Sequence, residues 1–182
     1  GDEERLQGLL LDLRQAALSD RALFSQVHFM DSHGPIFHPV VRRFSAGMEQ
    51  VKGWMKPFYL DSILEFDAKL KQIYEALSAA GQLDQTLLII YSDHGSRWSV
   101  TQRIPLLIRL PGAKKAGRYS TNVQLLDVAP TVLAYLGETS PEWMTGSSLL
   151  TPEDIPPDRP LYVVSVAKSR KGSEGWVRAN DA

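Results

Sequence analysis

The sequence predicts one α/β domain over residues 1–182, with a partly parallel β-sheet flanked by helices. Helical patterns alternate with short apolar runs along the chain, which is the order typical of layered α/β folds. The composition, 43% hydrophobic and 23% charged, allows a chain of this length to bury a core. Cysteine is absent, which excludes disulfide scaffolds, thiolate metal sites and thiol nucleophiles.

Three stretches carry apolar residues at helical spacing. The first is 2–19, where leucines recur among charged residues. The second is 58–80, with a glycine stop at Gly81, and the third is 123–136, with a stop at Gly137. Apolar residues at i, i+3, i+4 and i+7 predict amphipathic helices, and glycine is the preferred residue just past a helix end.

Short apolar runs predict the strands. The runs 23–29, 86–91 and 104–110 each fit a strand, and 86–91 is continuously apolar, as expected of a strand covered on both faces. The stretch 161–179 predicts a small C-terminal β-hairpin. Between the first run and the second helix lies 31–57, which has no periodicity, and a loop of that length in a compact domain is usually functional.

The charge balance argues against two classes of partner. The chain has 20 Lys and Arg against 21 Asp and Glu, a net charge of -1. The sequence therefore predicts binding neither to nucleic acid nor to an anionic membrane surface. No apolar run approaches the roughly 20 residues of a membrane span. The first residues lack the features of a signal peptide, so we expect any membrane anchor or export signal to lie outside this chain.

The clearest local signal for chemistry follows the run 86–91. Asp93 and His94 stand side by side there, in Ser-Asp-His-Gly, and ligands of parallel α/β sheets bind beyond the carboxyl ends of strands. A carboxylate beside an imidazole suits a divalent metal, and Gly95 allows a sharp turn behind them. The alternative, with about equal weight, is an Asp-His pair that caps an ordinary turn.

Three further residues could contact a ligand. His33 lies in Met-Asp-Ser-His-Gly-Pro after the first apolar run and His38 follows it, and both could contact an anion or a metal ion. We interpret His38 as a surface or packing histidine rather than a ligand. Arg103 precedes the run 104–110, where its guanidinium could hold a sulfate or phosphate oxygen bidentately. A solvated arginine is the equally weighted alternative.

Taken in order, these motifs resemble the C-terminal half of the catalytic domain of the sulfatase family, in the alkaline-phosphatase-like superfamily. The resemblance covers roughly residues 23–150. The matching segments are 29–35, 58–63 with Asp67, 81–86, Tyr91-Ser-Asp-His-Gly95, Arg103-Ile-Pro-Leu-Leu107, Asp127-Val-Ala-Pro-Thr131, 136–137 and 146–149.

The resemblance implies an incomplete sulfatase-like fold and a set of roles. Asp93 and His94 would be ligands of a divalent metal, with Ca²⁺, Mn²⁺, Mg²⁺ and Zn²⁺ all left open. His33 would contact the transferred sulfuryl or phosphoryl group, or the leaving group, and Arg103 would border the site. The motifs that contain Tyr59, Asp67 and Asp127 are interpreted as packing and helix positions.

The departures from the family are informative as well. In this family the nucleophile and further acidic metal ligands come from the N-terminal half of the domain, and no Cys-x-Pro-x-Arg segment occurs here. We therefore expect metal-dependent hydrolysis of sulfate esters by the whole protein, and inactivity of this chain alone. The alternatives are a phosphotransferase for phosphoglycerol-like or phosphoethanolamine-like groups, or a non-catalytic degenerate module.

The resemblance also bears on partners and location. It implies a sulfate-ester or phosphate-ester substrate, and it is compatible with an extracytoplasmic or membrane-anchored protein. Because half of the family's domain is missing from this chain, we expect an exposed sheet edge and self-association through it.

Overall fold

The computed structural model describes residues 1–19, 21–99, 102–113 and 116–161. The helices are α1 (Asp2–Ala17), α2 (Lys56–Ala79) and α3 (Val128–Tyr135), and the strands are β1 (Leu88–Tyr91) and β2 (Leu106–Arg109). The chain forms two compact units. Unit 1 comprises the described parts of Gly1–Thr86 and Leu110–Lys114, and unit 2 those of Leu87–Arg109 and Lys115–Ala182. The assignment of the whole chain to one domain stays a prediction.

The core of unit 1 lies between α1 and α2. Leu6 and Leu10 of α1 meet Ile73 and Leu77 of α2, and all four side chains are buried. Residues four apart share one face of a helix, so each pair presents a continuous apolar stripe. α2 is followed by Gly81, whose φ is +67°. Both helices predicted for this part of the chain are confirmed.

The strand predicted over 23–29 is wrong, because residues 22–30 run without regular secondary structure. A strand needs a neighbouring strand for its backbone hydrogen bonds, and the residues described here offer it none. The end of the segment is held instead by a side chain of α1. The Asp2 carboxylate accepts hydrogen bonds from the backbone N–H of Met30 at 2.6 Å and of Asp31 at 2.7 Å.

The long segment 31–57 is irregular as predicted up to residue 55, where α2 begins two residues earlier than expected, and it has an apolar centre of its own. Phe37 is 3% exposed, and its ring lies 6.0 Å from the Trp54 ring and 5.5 Å from the Tyr59 ring, measured between centroids. Phe58, in the first turn of α2, is also buried. The segment is therefore packed onto the start of α2, as compact functional loops often are.

In unit 2, β1 and β2 pair antiparallel. Leu88 is opposite Arg109 and Tyr91 is opposite Leu106, so the end of β1 adjoins the start of β2. The four residues of β1 are half-buried. The structure is thus a mixed α/β arrangement with a small antiparallel sheet, and a partly parallel sheet stays a prediction. The predicted hairpin over 161–179 lies outside the described residues, apart from its first residue.

The helix predicted over 123–136 forms over part of that range. A 3-10 turn, Leu125–Asp127, leads into α3. Pro130 lies in the first turn of α3, where its missing N–H costs no intrahelical hydrogen bond. Gly137 follows the helix with a φ of +80°. In the described part of the chain, no helix has both the length and the apolar character needed to cross a membrane.

Candidate active site

The Asp93-His94 turn begins where β1 ends and is held by its neighbours. The Ser92 hydroxyl donates to the His94 carbonyl oxygen at 2.7 Å, and the Gly95 N–H donates to the Ser99 carbonyl oxygen at 2.9 Å. Gly95 is buried, and a Cβ there would lie 2.7 Å from both the Ser99 oxygen and the Cβ of Gln102. Glycine is therefore required at this position because any larger residue would collide with these neighbours.

The imidazole of His94 has a defined tautomer in this turn. Its Nδ1 lies 2.8 Å from the Gly95 carbonyl oxygen, and a carbonyl can only accept, which assigns the proton to Nδ1. In the neutral ring the lone pair is then on Nε2, which lies 3.8 Å from Oδ1 of Asp93. The Asp93 side chain is 56% exposed and that of His94 is 27% exposed. Two atoms with lone pairs thus stand close together at the surface of unit 2.

This donor pair fits a divalent metal. Carboxylate oxygens and the unprotonated nitrogen of a neutral imidazole are ordinary metal ligands, and a backbone hydrogen bond to the other imidazole nitrogen is the usual way that a ligand histidine is oriented. Within the described ranges, no group of three or more His, Cys, Asp or Glu residues could hold a metal ion. Asp93 and His94 would therefore supply only part of the coordination shell of a divalent ion.

Arg103 lies three residues before β2, in a short stretch without regular secondary structure. The last hydrogen-bonded pair of the sheet is Tyr91 with Leu106, and beyond the turn the Cα of Gly95 closely approaches the Gln102 side chain. Residues 92–94 therefore run opposite residues 103–105. The side chain of Arg103 is exposed, so its guanidinium is available to an oxyanion. Asp93, His94 and Arg103 thus lie beyond the same end of the β1–β2 pair, within unit 2.

His33 belongs to unit 1, where it follows a tight turn after residues 22–30. Its backbone N–H donates to the Met30 carbonyl oxygen at 2.8 Å, and its side chain is exposed. The preceding carboxylate, Asp31, forms a 3.1 Å ion pair with Lys69 of α2. His33 is therefore presented at the surface of unit 1 by a turn that is tied to both α1 and α2.

Trp54 packs directly beneath the residue that follows His33. A Cβ on Gly34 would lie 2.5 Å from Cζ3 of the Trp54 ring, and the Trp54 N–H donates to the Pro35 carbonyl oxygen at 2.8 Å. Trp54 itself has a φ of 60°, in the left-handed region that non-glycine residues rarely occupy. The surrounding contacts therefore hold a costly backbone conformation, and they leave no room for a side chain at position 34.

A buried carboxylate anchors the loop to α2. Asp61 is fully buried and accepts four hydrogen bonds of 2.6 to 2.9 Å, from the backbone N–H groups of Arg43, Phe44 and Ser45 and from the Ser45 hydroxyl. Burial alone raises the pKa of Asp61, but these hydrogen bonds outweigh it and lower the pKa from 3.8 to about 2. Asp61 is thus ionised in the folded protein at neutral pH.

Sequence reasoning missed Trp54 and Asp61 as supports of the His33 loop. A partial signal for Asp61 was present, because it lies between Phe58 and Leu64 on one face of α2. An acid on such a face needs buried partners. Nothing comparable marks Trp54, whose role depends on a fold of the loop that local patterns do not specify.

Asp127 is a structural residue, as its motif suggested. It is fully buried, and its carboxylate accepts bonds from the backbone N–H groups of Gln124 and Ser147, both at 2.8 Å. The guanidinium of Arg159 forms an ion pair with the same carboxylate. Its Nη1 donates to Oδ1 at 3.0 Å, and its Nη2 donates to Oδ2. The segments around 127 and 147 are thereby joined within unit 2.

Comparison with known proteins gives consistent matches. The family model described as Sulfatase matches residues 3–138. Arylsulfatase K of Homo sapiens is 30% identical over 138 residues, which cover 69% of this chain and 25% of the relative. The N-acetylglucosamine-6-O-sulfatase of Bacteroides thetaiotaomicron is 33% identical over 104 residues, 50% of this chain and 19% of the relative.

A third relative has a broader description. The multifunctional alkaline phosphatase superfamily protein PehA of Trinickia caryophylli is 31% identical over 139 residues, 68% of this chain and 27% of the relative. This chain therefore spans about a quarter of the length of most of the curated relatives it matches. No solved structure gives a significant match.

Proposed function

This chain belongs to the sulfatase family, and from that premise we propose that the whole protein hydrolyses sulfate esters with the help of a divalent metal ion. The observation that carries the proposal is the Asp93-His94 turn at the end of β1, with Arg103 just before the start of the antiparallel partner β2. We propose further that the chain is the C-terminal part of the catalytic domain, whose larger sheet is partly parallel.

Each residue of the site has a proposed role that follows from its chemistry. Asp93 and His94 hold the metal ion through a carboxylate oxygen and Nε2, and the Ser92 and Gly95 contacts keep the turn in shape. When bound, the ion polarises the ester oxygens. Arg103 offers guanidinium N–H groups to the sulfuryl oxygens, in the fork geometry that suits a planar or tetrahedral oxyanion. For His33, which belongs to unit 1, we propose only the role that the family resemblance implies, contact with the transferred group or with the leaving oxygen.

The chain by itself has an incomplete site in this proposal. It contains no cysteine, and two protein ligands leave most of the coordination shell of a divalent ion to water. Positioning a metal without a nucleophile removes the covalent step. We therefore propose that the 182-residue chain binds metal weakly and does not turn over sulfate esters alone.

The experiment measures hydrolysis of aryl sulfates by the whole protein and by the 182-residue chain, in the presence of Ca²⁺, Mn²⁺, Mg²⁺ or Zn²⁺. The whole protein should hydrolyse the ester, and Asp93→Asn should reduce kcat by at least about a hundredfold. The exposed Asp158→Asn is the matched control and should leave activity unchanged. Turnover by the 182-residue chain that disappears in Asp93→Asn would overturn the incomplete-site proposal.

A phosphoester substrate is the second candidate, and the observation that favours it is the match to a protein described as a multifunctional member of the alkaline phosphatase superfamily. The two candidates use the same donors in this chain, because sulfate and phosphate oxygens present similar geometry to a metal and an arginine. Aryl phosphate in the same assay distinguishes them. A kcat/KM higher for phosphate than for sulfate would make phosphoester transfer the primary activity.

We also propose that the chain self-associates through its sheet. In the described part of the chain, β1 and β2 pair only with each other, so neither has a third strand beside it. Light scattering at micromolar concentration should report a dimer or a larger species. A monodisperse monomer would contradict this proposal and leave the proposed reaction unaffected.

A further inference from the structure

Unit 1 contains a cavity that the proposed reaction does not use. It has a volume of about 350 Å³ and lies between the segment 36–50 and the start of α2. Phe37, Pro39 and Phe58 supply apolar walls, and His38 and Arg42 supply polar ones. Its lining is thus both polar and apolar, and its volume is at the lower end of the range of small-molecule sites in proteins.

Arg42 is fixed in place before any ligand arrives. Its Nε donates to the Ser45 hydroxyl at 3.1 Å, and its Nη2 donates to the carbonyl oxygens of Ser45, at 2.7 Å, and of Met48. The guanidinium carbon lies 4.9 Å from the centroid of the Phe58 ring. Ser45 is itself held by the buried Asp61 carboxylate. A side chain that is already immobilised loses little entropy on binding.

The remaining donors of the cavity have no described partner. Nη1 of Arg42 makes no hydrogen bond with any residue whose placement is described, and neither does the ring of His38. None of the residues that line the cavity is acidic. The wall therefore combines a fixed cation, an imidazole N–H and aromatic surface, which is complementary to an anion attached to a flat apolar group.

We propose that this cavity binds an oxyanion carried on a ring. The sulfonate, sulfate or carboxylate oxygens accept from Nη1 of Arg42 and from the His38 imidazole, and the ring lies against Phe37 and Pro39. The side-chain amide of Gln50 holds the backbone of Phe37 in position. Its Oε1 accepts from the Phe37 N–H at 3.0 Å, and its Nε2 donates to the Phe37 carbonyl oxygen at 3.4 Å. The cavity lies entirely within unit 1 and involves no metal, so its occupation does not depend on the proposed hydrolysis.

The test titrates the full chain with small probes and follows backbone amide and arginine side-chain signals by NMR. Benzenesulfonate and benzoate combine the ring and the charge, inorganic sulfate has the charge alone, and benzyl alcohol has the ring alone. We expect shifts around residues 36–42 and Gln50, with the ring-borne anions binding more tightly than either partial probe. The tighter of benzenesulfonate and benzoate identifies the preferred oxyanion.

Variants separate this site from a general effect of charge. Arg42→Gln should weaken benzenesulfonate binding by about tenfold or more, because it removes the charged Nη1 donor. Arg43→Gln removes the same charge from the next residue, whose exposed side chain does not line the cavity, and it should leave binding unchanged. His38→Asn, at an exposed position, should weaken binding severalfold even if Arg42→Gln fails to fold.

Three results would overturn the proposal. The first is a shift map centred away from the cavity in the wild-type chain, which needs no variant. The second is an equal loss of affinity in Arg42→Gln and Arg43→Gln, which would indicate attraction by net charge. The third is binding of benzyl alcohol as tight as that of benzenesulfonate, which would mean that the cavity recognises only apolar rings.

Discussion

At the scale of single residues, the Asp61 carboxylate makes the stability of unit 1 depend on pH. Its pKa is lowered from 3.8 to about 2 in the folded chain, so the unfolded chain takes up the proton first as the pH falls. The stabilisation is therefore complete above about pH 4 and is lost as the pH falls towards 2. Asp61→Asn should lower the melting temperature at neutral pH. It should also make the melting temperature fall less steeply between about pH 4 and pH 2.

Circular dichroism at several pH values measures both effects. Asp67→Asn is the matched control, because Asp67 is an exposed acid on the same helix, and it should keep the acid-dependent decline of the wild type. If Asp61→Asn lost stability between about pH 4 and pH 2 as steeply as the wild type, the hydrogen bonds to Asp61 would not be the source of the decline.

The buried pair of Asp127 and Arg159 gives a second prediction at this scale. The Asp127 side chain is fully buried and that of Arg159 is 11% exposed. Arg159→Leu leaves a buried carboxylate with two backbone donors and no counter-charge, which should reduce the free energy of unfolding by about 3 kcal/mol or more. Urea denaturation of the chain measures this loss.

A matched arginine provides the control for that experiment. Arg118 is exposed, so Arg118→Leu removes the same charge and should change the free energy of unfolding by less than about 0.5 kcal/mol. Equal destabilisation by the two variants would show that the effect of Arg159→Leu comes from net charge and not from the buried pair.

At the scale of secondary-structure elements, the α1–α2 contact should carry much of the stability of unit 1. Leu77 is 2% exposed in the core between these helices. Leu77→Ala should therefore cost about 2–5 kcal/mol of unfolding free energy, from lost burial and the cavity that remains. Leu11→Ala, at a leucine of α1 that is 52% exposed, should cost less than about 0.5 kcal/mol. Similar costs for the two variants in urea denaturation would contradict this packing.

The helices and the antiparallel strands differ in how well local patterns predict them. α1 and α2 follow from leucine and isoleucine spacing and from the glycine that ends α2, because helix hydrogen bonds are local. The run 23–29 is as apolar as a typical strand, yet it does not form a strand. A strand depends on a partner strand, which the local sequence does not specify. The pairing of β1 with β2 is likewise a long-range property, and alternation of helical and apolar segments suggested a parallel sheet instead.

At the scale of the whole molecule, the motifs predicted the family, and the family comparison confirms it. The positions of Asp93 and His94 after β1 also followed from the sequence. The Arg103 placement opposite them depends on the β1–β2 register, and the support of the His33 loop by Trp54 and Asp61 depends on packing across more than ten residues. Apart from the position of Asp61 beside Phe58 on α2, these features depend on long-range contacts that no local pattern specifies.

The most direct measurement for the proposed site is a Mn²⁺ titration of the chain, followed by paramagnetic broadening of its NMR signals. If Asp93 and His94 hold the metal, broadening should begin at residues 92–95 and at Arg103, and it should be lost there in Asp93→Asn but kept in Asp158→Asn. Broadening that begins elsewhere, or that persists at residues 92–95 in Asp93→Asn, would contradict the assignment of this turn as the metal-binding part of a sulfatase site.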